Sequence, residues 1–162
     1  MDIDKLIQET EKIKLKEDRL WDVVHNYTDI IIIGNGGSNS IASHIAQDYT
    51  KVLNKRAISF SDPSRLTCYI NDYGRDEAYV EFLRDFARTT TLVILISSSG
   101  NSMNIVNAAK YCESNLVDYI ALSGFSKNNK LNNLNAGLKF WVDSRDYGIV
   151  ECTHQAFLHS IL

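Results

Sequence analysis

Short apolar runs alternate with amphipathic segments over most of the chain. Five runs have the length and composition of strands, and the first of them holds consecutive isoleucines over 30–33. Between the runs, apolar residues recur at the spacing of helices that bury one face. Strands alternating with helices indicate a parallel sheet covered on both faces, so an α/β fold is expected. The predicted strands are 29–33, 57–60, 92–96, 119–122 and 138–142, and the predicted helices are 39–53, 76–88, 103–113 and 151–162.

The beginning of the chain lies outside this alternation. Residues 2–26 carry apolar side chains at helical spacing and predict one or two helices. We interpret residues 1–28 as a helical arm, suited to contacts between subunits, and residues 29–162 as the α/β core. A chain of 162 residues is most simply one domain, so 1–162 is expected to fold as a unit.

Two polar segments interrupt the pattern. Residues 61–75 are expected to form a loop, with room for a short helical turn around 64–69. Residues 127–135 are polar, and a short helix there is left open.

Composition narrows the class of protein. The hydrophobic fraction of 44% and the charged fraction of 23% are ordinary for a soluble globular protein. The net charge is −3 and no long basic run occurs, so nucleic-acid binding is not expected. No apolar run is long enough to span a membrane, and the charged N-terminus lacks the apolar core of a signal peptide. Three widely spaced cysteines, Cys68, Cys112 and Cys152, favour reduced thiols in a cytoplasmic protein.

A serine-rich turn separates the third predicted strand from the helix after it. Residues 97–102 read Ser-Ser-Ser-Gly-Asn-Ser. The first turn of a helix leaves backbone N–H groups unpaired and carries the positive end of the macrodipole, so an anion such as phosphate binds well there. Serine hydroxyls would add donors, and Gly100 would allow close approach of the backbone. The alternative is a plain helix cap formed by Ser99 or Ser102, and these six residues favour neither interpretation.

A glycine-rich turn, residues 34–38, follows the first predicted strand. The dinucleotide fingerprint needs glycine at its sixth position, where this chain has Asn39, although Asp62 does follow the second strand. A small phosphorylated ligand fits better, since ligands of parallel sheets bind at the carboxyl ends of the strands. In that interpretation, Gly36 and Gly37 allow the backbone to approach the ligand closely, and Asn35 and Ser38 supply polar contacts. Ser38 also caps the following helix.

Two helices carry residues suited to acid–base chemistry or to metal binding. His44 and Asp48 are four residues apart and share a face of one helix. Glu151 and His159 lie on the last helix, about two turns apart. If the helices meet, two imidazoles and two carboxylates could bind zinc or another divalent metal, or could move protons. The alternatives are that His44 and Asp48 only satisfy each other's hydrogen bonds, and that the histidine of the last helix simply lies on the surface.

Together these motifs resemble the phosphoheptose isomerases, the sedoheptulose 7-phosphate isomerases of the SIS (sugar isomerase) domain superfamily. The resemblance runs in register from about residue 30 to the end of the sequence. The serine turn marks the superfamily, and the glycine turn with the two helical pairs is more specific to the heptose branch. The matching segments are Gly34 to Ser38, His44 to Asp48, Asn71 to Gly74, Ser97 to Ser102 and Glu151 to His159.

The resemblance implies a flavodoxin-like, three-layer αβα sandwich with a five-stranded parallel sheet. It also implies a homotetramer with sites between subunits, and isomerisation of sedoheptulose 7-phosphate to D-glycero-D-manno-heptose 7-phosphate for lipopolysaccharide, capsule or other surface glycans. By match, phosphate would be held by Ser97, Ser98, Ser99 and Ser102, and the sugar by Asn35, Gly36, Gly37, Asn71 and Asp72. The metal or acid–base set, with zinc as the implied ion, would be His44, Asp48, Glu151 and His159.

Two of these positions depart from the family pattern. Asp48 stands where better-studied members have glutamate, which shortens the carboxylate by one methylene. Glu151 stands where they have glutamine, which adds a charge able to strengthen metal binding or to act as a base. The segment around Glu151 resembles a divergent branch associated with surface sugars.

The favoured hypothesis is an aldose–ketose phosphate isomerase that works through an enediol. Asp48 or Glu151 would be the base, and His159 would handle the oxygen-bound proton. The alternative is a non-catalytic SIS protein that binds a sugar phosphate as a sensor or serves as a scaffold for a partner. The enzyme is favoured because all four residues of the acid–base set are present; a nucleotide-dependent oxidoreductase ranks third because of Asn39.

Overall fold

A five-stranded parallel sheet forms the centre of the computed structural model, which describes residues 1–162. The strand order is β2-β1-β3-β4-β5, and β3, every residue of which is buried, lies in the middle. Pairing of Gly34 with Ile96 and of Ser97 with Ser123 brings the carboxyl ends of three strands to one edge. The strands are β1 Asp29–Gly34, β2 Arg56–Ser59, β3 Thr91–Ser97, β4 Tyr119–Ser123 and β5 Leu138–Trp141, which confirms the predicted α/β fold.

Helices cover both faces of the sheet. Alternate residues of each strand point to opposite faces, so Ile30 and Ile32 pack with α3 and α7, whereas Ile31 and Ile33 pack with α5 and α6. These two apolar clusters make the expected three-layer αβα sandwich. The helices are α1 Ile3–Glu11, α2 Glu17–His25, α3 Gly37–Lys51, α4 Pro63–Tyr73, α5 Ala78–Phe86, α6 Met103–Ser114 and α7 Tyr147–His159, with a 3₁₀ turn at Lys12–Leu15.

The N-terminal arm is helical as predicted and packs on the same face as α7. Leu20 and Val24 of α2 are fully buried in that cluster. Glu9 of α1 is also fully buried, and its carboxylate accepts hydrogen bonds from Lys12 and from the backbone N–H of Asp143, the residue that follows the last strand by two positions. None of the helices is both long enough and apolar enough to cross a bilayer.

Two local predictions are wrong, and one point that the sequence left open is settled. Residues 63–73 form a helix of three turns rather than a loop, because the Asp62 side chain accepts from the backbone N–H of Arg65 and Pro63 supplies a preset φ at the first helical position. Helix α3 begins at Gly37, so Ser38 lies in its first turn and is not its cap. Residues 127–135 form turns without a helix.

Candidate active site

Two hydroxyls of the serine turn, those of Ser98 and Ser102, are left without a capping or hydrogen-bonding role in the chain. Helix α6 starts immediately after Ser102, yet the Ser102 side chain makes no capping hydrogen bond. The Ser98 hydroxyl is buried and has no hydrogen-bond partner in the chain. Ser97 and Ser99 each accept one backbone N–H of the turn, from Gly100 and Asn101, both at 3.2 Å. The plain-cap interpretation therefore leaves the hydroxyls unexplained, whereas an anion at this helix N-terminus would give them a partner.

The loop after β4 holds the serine turn in place. Gly100 has φ +64°, in the left-handed region that favours glycine, and a Cβ there would overlap the side chain of Asn129. Asn129 is 1% exposed, and its amide nitrogen lies within hydrogen-bonding distance of Gly124 O and Ser126 O. The backbone N–H of Leu131 donates to Gly100 O at 2.9 Å. The serine turn is thus fixed by buried contacts rather than by its own sequence alone.

The glycine turn forms the facing wall of a small cavity. Gly36 has φ +53° at the residue before α3, and Gly34 approaches the backbone of Ser38 too closely to accept a Cβ. The cavity between the two turns has a volume of about 240 Å³. Its lining consists of Asn35, Gly36, Gly37, Ser38, Ile96, Ser97, Ser98, Ser99, Ser102, Tyr147 and Glu151.

Glu151 projects from α7 into this cavity. Its carboxylate lies against Gly37, where a Cβ would overlap it, at the first turn of α3. Burial raises the pKa of Glu151, because it penalises the charged form of the carboxyl group. Perturbed carboxyl groups inside polar cavities are frequent acid–base groups of enzymes.

A second group of side chains forms where α3 and α7 run side by side. Asp48 Oδ2 lies 3.2 Å from His44 Nε2 and 3.0 Å from His159 Nε2. The two imidazole rings meet edge to face, with centroids 5.1 Å apart. His44 is 55% exposed, and Asp48 and His159 are 27% and 31% exposed. We call these three residues the His–Asp–His cluster.

The donor set of the His–Asp–His cluster suits a divalent metal. One ligand atom from each residue lies within 4.8 Å of the others. Two imidazole nitrogens and one carboxylate oxygen are the protein ligands of many zinc sites that keep a position open for substrate. The cluster therefore fits the metal that the resemblance implies.

The structure brings together three of the four residues expected in the metal or acid–base set. Glu151 precedes His159 by eight residues on α7, which places it about 12 Å nearer the start of that helix. It therefore belongs to the cavity and not to the His–Asp–His cluster of the same chain.

Asn71 and Asp72 lie on the exposed side of α4 and do not line the cavity. The Asn71 amide donates to Asp72 at 2.9 Å, and the thiol of Cys68 donates to the same carboxylate at 3.4 Å. They stand apart from the cavity of their own chain, and their contact with the sugar stays a prediction. No residue of α4 is buried, which leaves its apolar Ile70 and Tyr73 facing outward.

Two residues of the cavity, Ile96 and Tyr147, were not predicted as site residues from the sequence. Tyr147 is the first residue of α7, is 59% exposed and lies four residues before Glu151. The Asp146 carboxylate caps α7 by accepting from Gly148 N–H at 2.7 Å. Recognising this cap would have shown that the helix begins at Tyr147. Since residues four apart share a helix face, the sequence would then have placed Tyr147 beside Glu151.

The fold and the serine turn define the class of protein: residues 3–124 match the family model described as "SIS domain". The phosphoheptose isomerase of Fusobacterium nucleatum subsp. nucleatum is 31% identical over 160 residues, which cover 96% of this chain and 80% of that protein. The phosphoheptose isomerase of Campylobacter concisus is 33% identical over 147 residues, or 86% of this chain and 76% of that protein. The chain belongs to the phosphoheptose isomerase family.

A solved structure shows the same fold. Phosphoheptose isomerase GmhA from Neisseria gonorrhoeae superimposes with a TM-score of 0.87 at 23% identity, covering 98% of this chain and 90% of that one. The two chains therefore share the same overall fold.

Proposed function

We propose that this protein is a sugar-phosphate isomerase that converts sedoheptulose 7-phosphate to D-glycero-D-manno-heptose 7-phosphate. The observation that carries the proposal is one cavity that joins unpartnered serine hydroxyls to the carboxyl group of Glu151. An anion site beside an acid–base group suits a phosphorylated substrate that must gain and lose protons. Relatives named phosphoheptose isomerase support the choice of substrate.

The phosphate of the substrate is assigned to the serine turn. Ser97, Ser98, Ser99 and Ser102 surround the N-terminus of α6, whose unpaired N–H groups and dipole favour an anion. Binding of the phosphate holds the open-chain sugar in position, and this positioning lowers part of the activation barrier of the reaction. Backbone groups of Gly36 and Gly37, with Asn35 and Ser38, are assigned to the sugar.

The proposed reaction moves one proton between neighbouring carbons. A base takes a proton from carbon 1 of the ketose, a proton returns to carbon 2, and a hydroxyl proton passes to the former carbonyl oxygen. Glu151 is the carboxylate inside the cavity, and its raised pKa suits a group that both accepts and returns a proton. The Asp48–His159 hydrogen bond of 3.0 Å suits a pair that handles the oxygen-bound proton.

A zinc ion is proposed at the His–Asp–His cluster. His44, Asp48 and His159 would hold it, and when bound it would polarise the carbonyl and enediol oxygens. Glu151 would join this set only across a subunit boundary, because helix rise separates it from His159 in one chain.

The assembly proposed is a homotetramer with sites between subunits. Separation of the cavity from the His–Asp–His cluster supports it, as do the apolar residues Ile70 and Tyr73 on the outer face of α4, which also carries Asn71 and Asp72. A single SIS domain over 1–162, a cytoplasmic location and a role in making heptose for lipopolysaccharide or capsule complete the proposal.

Proton exchange followed by NMR tests this function. The purified protein is incubated with sedoheptulose 7-phosphate in D₂O, with and without added zinc. We expect deuterium to enter at the carbon beside the carbonyl and an aldose 7-phosphate to form. Prior treatment with a chelator should slow both events, and zinc should restore them.

The competing function is a SIS protein that binds a sugar phosphate without turning it over. Absence of exchange in both conditions, followed by failure with other ketose phosphates, would establish that alternative if calorimetry still detected binding. Loss of binding as well would remove the sugar phosphate from the proposal.

A further inference from the structure

The carboxamide of Asn35 is held by two buried side chains from other parts of the chain. Its Oδ1 accepts from Asn104 Nδ2 at 2.9 Å, and its Nδ2 donates to Asn104 Oδ1 at 3.0 Å. The hydroxyl of Tyr79 lies 2.9 Å from Asn35 Oδ1 and 2.9 Å from Gly34 O. Tyr79 and Asn104 are each 3% exposed. Asn35 is therefore tied to α5 and α6, although it lines the cavity.

The contacts fix which way the Asn35 amide faces. The backbone N–H of Ile105 donates to Asn104 Oδ1 at 3.0 Å, and a backbone N–H requires an oxygen there. The oxygen of Asn104 in turn requires the Asn35 nitrogen opposite it. A rotated Asn35 amide would place oxygen against oxygen and nitrogen against nitrogen. Burial raises the pKa of Tyr79 to about 12, so its hydroxyl keeps its hydrogen at neutral pH and remains a donor.

One hydrogen of the Asn35 amide stays available to a ligand. A carboxamide nitrogen has two hydrogens, and Asn104 takes one of them. The oxygen accepts from Asn104 and shares the single hydroxyl hydrogen of Tyr79 with Gly34 O. What Asn35 offers the cavity is thus a single N–H donor in a fixed direction.

The same contacts connect the glycine turn with the serine turn. Asn35 belongs to the turn after β1, and Asn104 is the second residue of α6, directly after the serine turn. We propose that Tyr79 and Asn104 are positioning residues, which lock the Asn35 carboxamide so that it donates to an oxygen of the bound sugar phosphate and keep the two turns at a fixed separation. This inference rests on the proposed function and deepens it.

Removing the Tyr79 hydroxyl tests the inference with a matched control. Tyr79 and Tyr69 both pack edge-on against Phe60, with centroids 5.3 Å and 5.4 Å away, but the Tyr69 hydroxyl bonds to Asp85 outside the cavity. We expect Tyr79→Phe to raise KM for sedoheptulose 7-phosphate about 3- to 10-fold, the equivalent of one net hydrogen bond, with kcat within about twofold. Asn104→Ala should raise KM further, and Tyr69→Phe should leave it unchanged.

A double variant separates positioning from ordinary structural support. If Tyr79 acts through Asn35, Tyr79→Phe should have no further effect on KM in an Asn35→Ala background. Additive effects would overturn the inference, as would folded Tyr79→Phe and Asn104→Ala proteins whose KM equals that of the wild type. Circular dichroism and thermal melts establish folding for each variant.

The wild-type protein separates this inference from the proposed function. Wild type that binds sedoheptulose 7-phosphate without converting it would refute the proposed isomerase, and the dissociation constants of the same variants from calorimetry would then replace KM. Wild type that neither binds nor converts the sugar phosphate would overturn both proposals.

Discussion

The cavity and the His–Asp–His cluster are built in opposite ways. The cavity is assembled from backbone turns at the ends of parallel strands and is supported by buried side chains, such as Asn129 and Asn104, each at most 3% exposed. The His–Asp–His cluster consists of three side chains on two neighbouring helices, and His44 is 55% exposed. Binding of a phosphate needs a fixed frame of donors, whereas proton transfer or metal binding needs a few ionisable side chains open to the ligand. Changes to the backbone frame of the cavity should therefore alter both stability and affinity, and changes at the cluster should alter turnover.

The largest effect is expected from Asp48→Asn in the His–Asp–His cluster. An amide can neither accept a proton nor pair with both imidazoles as a carboxylate does, so kcat should fall about 100-fold or more. The melting temperature should change little, since Asp48 is part-exposed and its two imidazole partners are themselves open to solvent. Steady-state kinetics and thermal melts measure both quantities, with the exposed Asp22→Asn as control. Full turnover in Asp48→Asn would remove Asp48 from the acid–base set.

A backbone change in the serine turn should damage stability and binding together. Gly100→Ala places a Cβ on the buried Asn129 at a positive φ, and we expect a loss of roughly 3 kcal/mol in unfolding free energy. Gly137→Ala is the control, because a Cβ there meets only Tyr119 O at 3.8 Å. Urea unfolding and calorimetric titration with inorganic phosphate give the two readouts. Unchanged stability in Gly100→Ala would mean that Asn129 does not hold the turn.

Acid should lower the stability of the folded protein because one of its histidines is buried. His154 is fully buried, its Nε2 lies 3.0 Å from Ser123 O, and burial lowers its pKa to about 4. Below the unfolded-state pKa the unfolded chain takes up a proton that the folded chain does not, so stability falls as the pH falls from about 6.5 towards 4. Between pH 7 and pH 5 this loss should be roughly 2 kcal/mol in urea unfolding.

Two measurements check the assignment to His154. The loss between pH 7 and pH 5 should be smaller in His154→Gln and unchanged in the exposed His25→Gln. In wild type, NMR should find the His154 ring still neutral at pH 5. A ring that titrates near pH 6.5 in the folded protein would contradict the prediction.

The smallest effect is expected from Ser102→Ala, and it separates a ligand group from a helix cap. The Ser102 hydroxyl does not cap α6, so unfolding free energy should stay the same while KM rises about 3- to 10-fold. Asp2→Ala is the contrasting variant: Asp2 caps α1 by accepting from Lys5 N–H, and its loss should cost about 1 kcal/mol. A stability loss in Ser102→Ala with unchanged KM would restore the plain-cap interpretation.

Features that depend on neighbouring residues could be predicted from the sequence, and those that depend on distant contacts could not. The strand–turn–helix at 97–102 and the pairing of His44 with Asp48 follow from local spacing. The side chains that orient Asn35 come from 44 and 69 residues away, so no local pattern indicated them. Helix α4 was the exception, since Asp62 and Pro63 are a readable helix start in a segment interpreted as a loop.

Glu151 and His159 show the limit of spacing as evidence. Eight residues on one helix bring two side chains to related faces, but they also separate them by about 12 Å along the axis. Which part of α3 each one meets depends on how the two helices pack side by side. The sequence therefore predicted the helix but not the division of its residues between the cavity and the cluster.

The contact of Gly100 with Asn129 also constrains how this protein can diverge. Position 100 cannot change freely alone, because any side chain there needs the space that Asn129 fills. In an alignment of close homologues, a non-glycine residue at the first position should occur together with a smaller residue at the second. Such paired substitutions would show that the loop after β4 supports the serine turn in other members of the family as well.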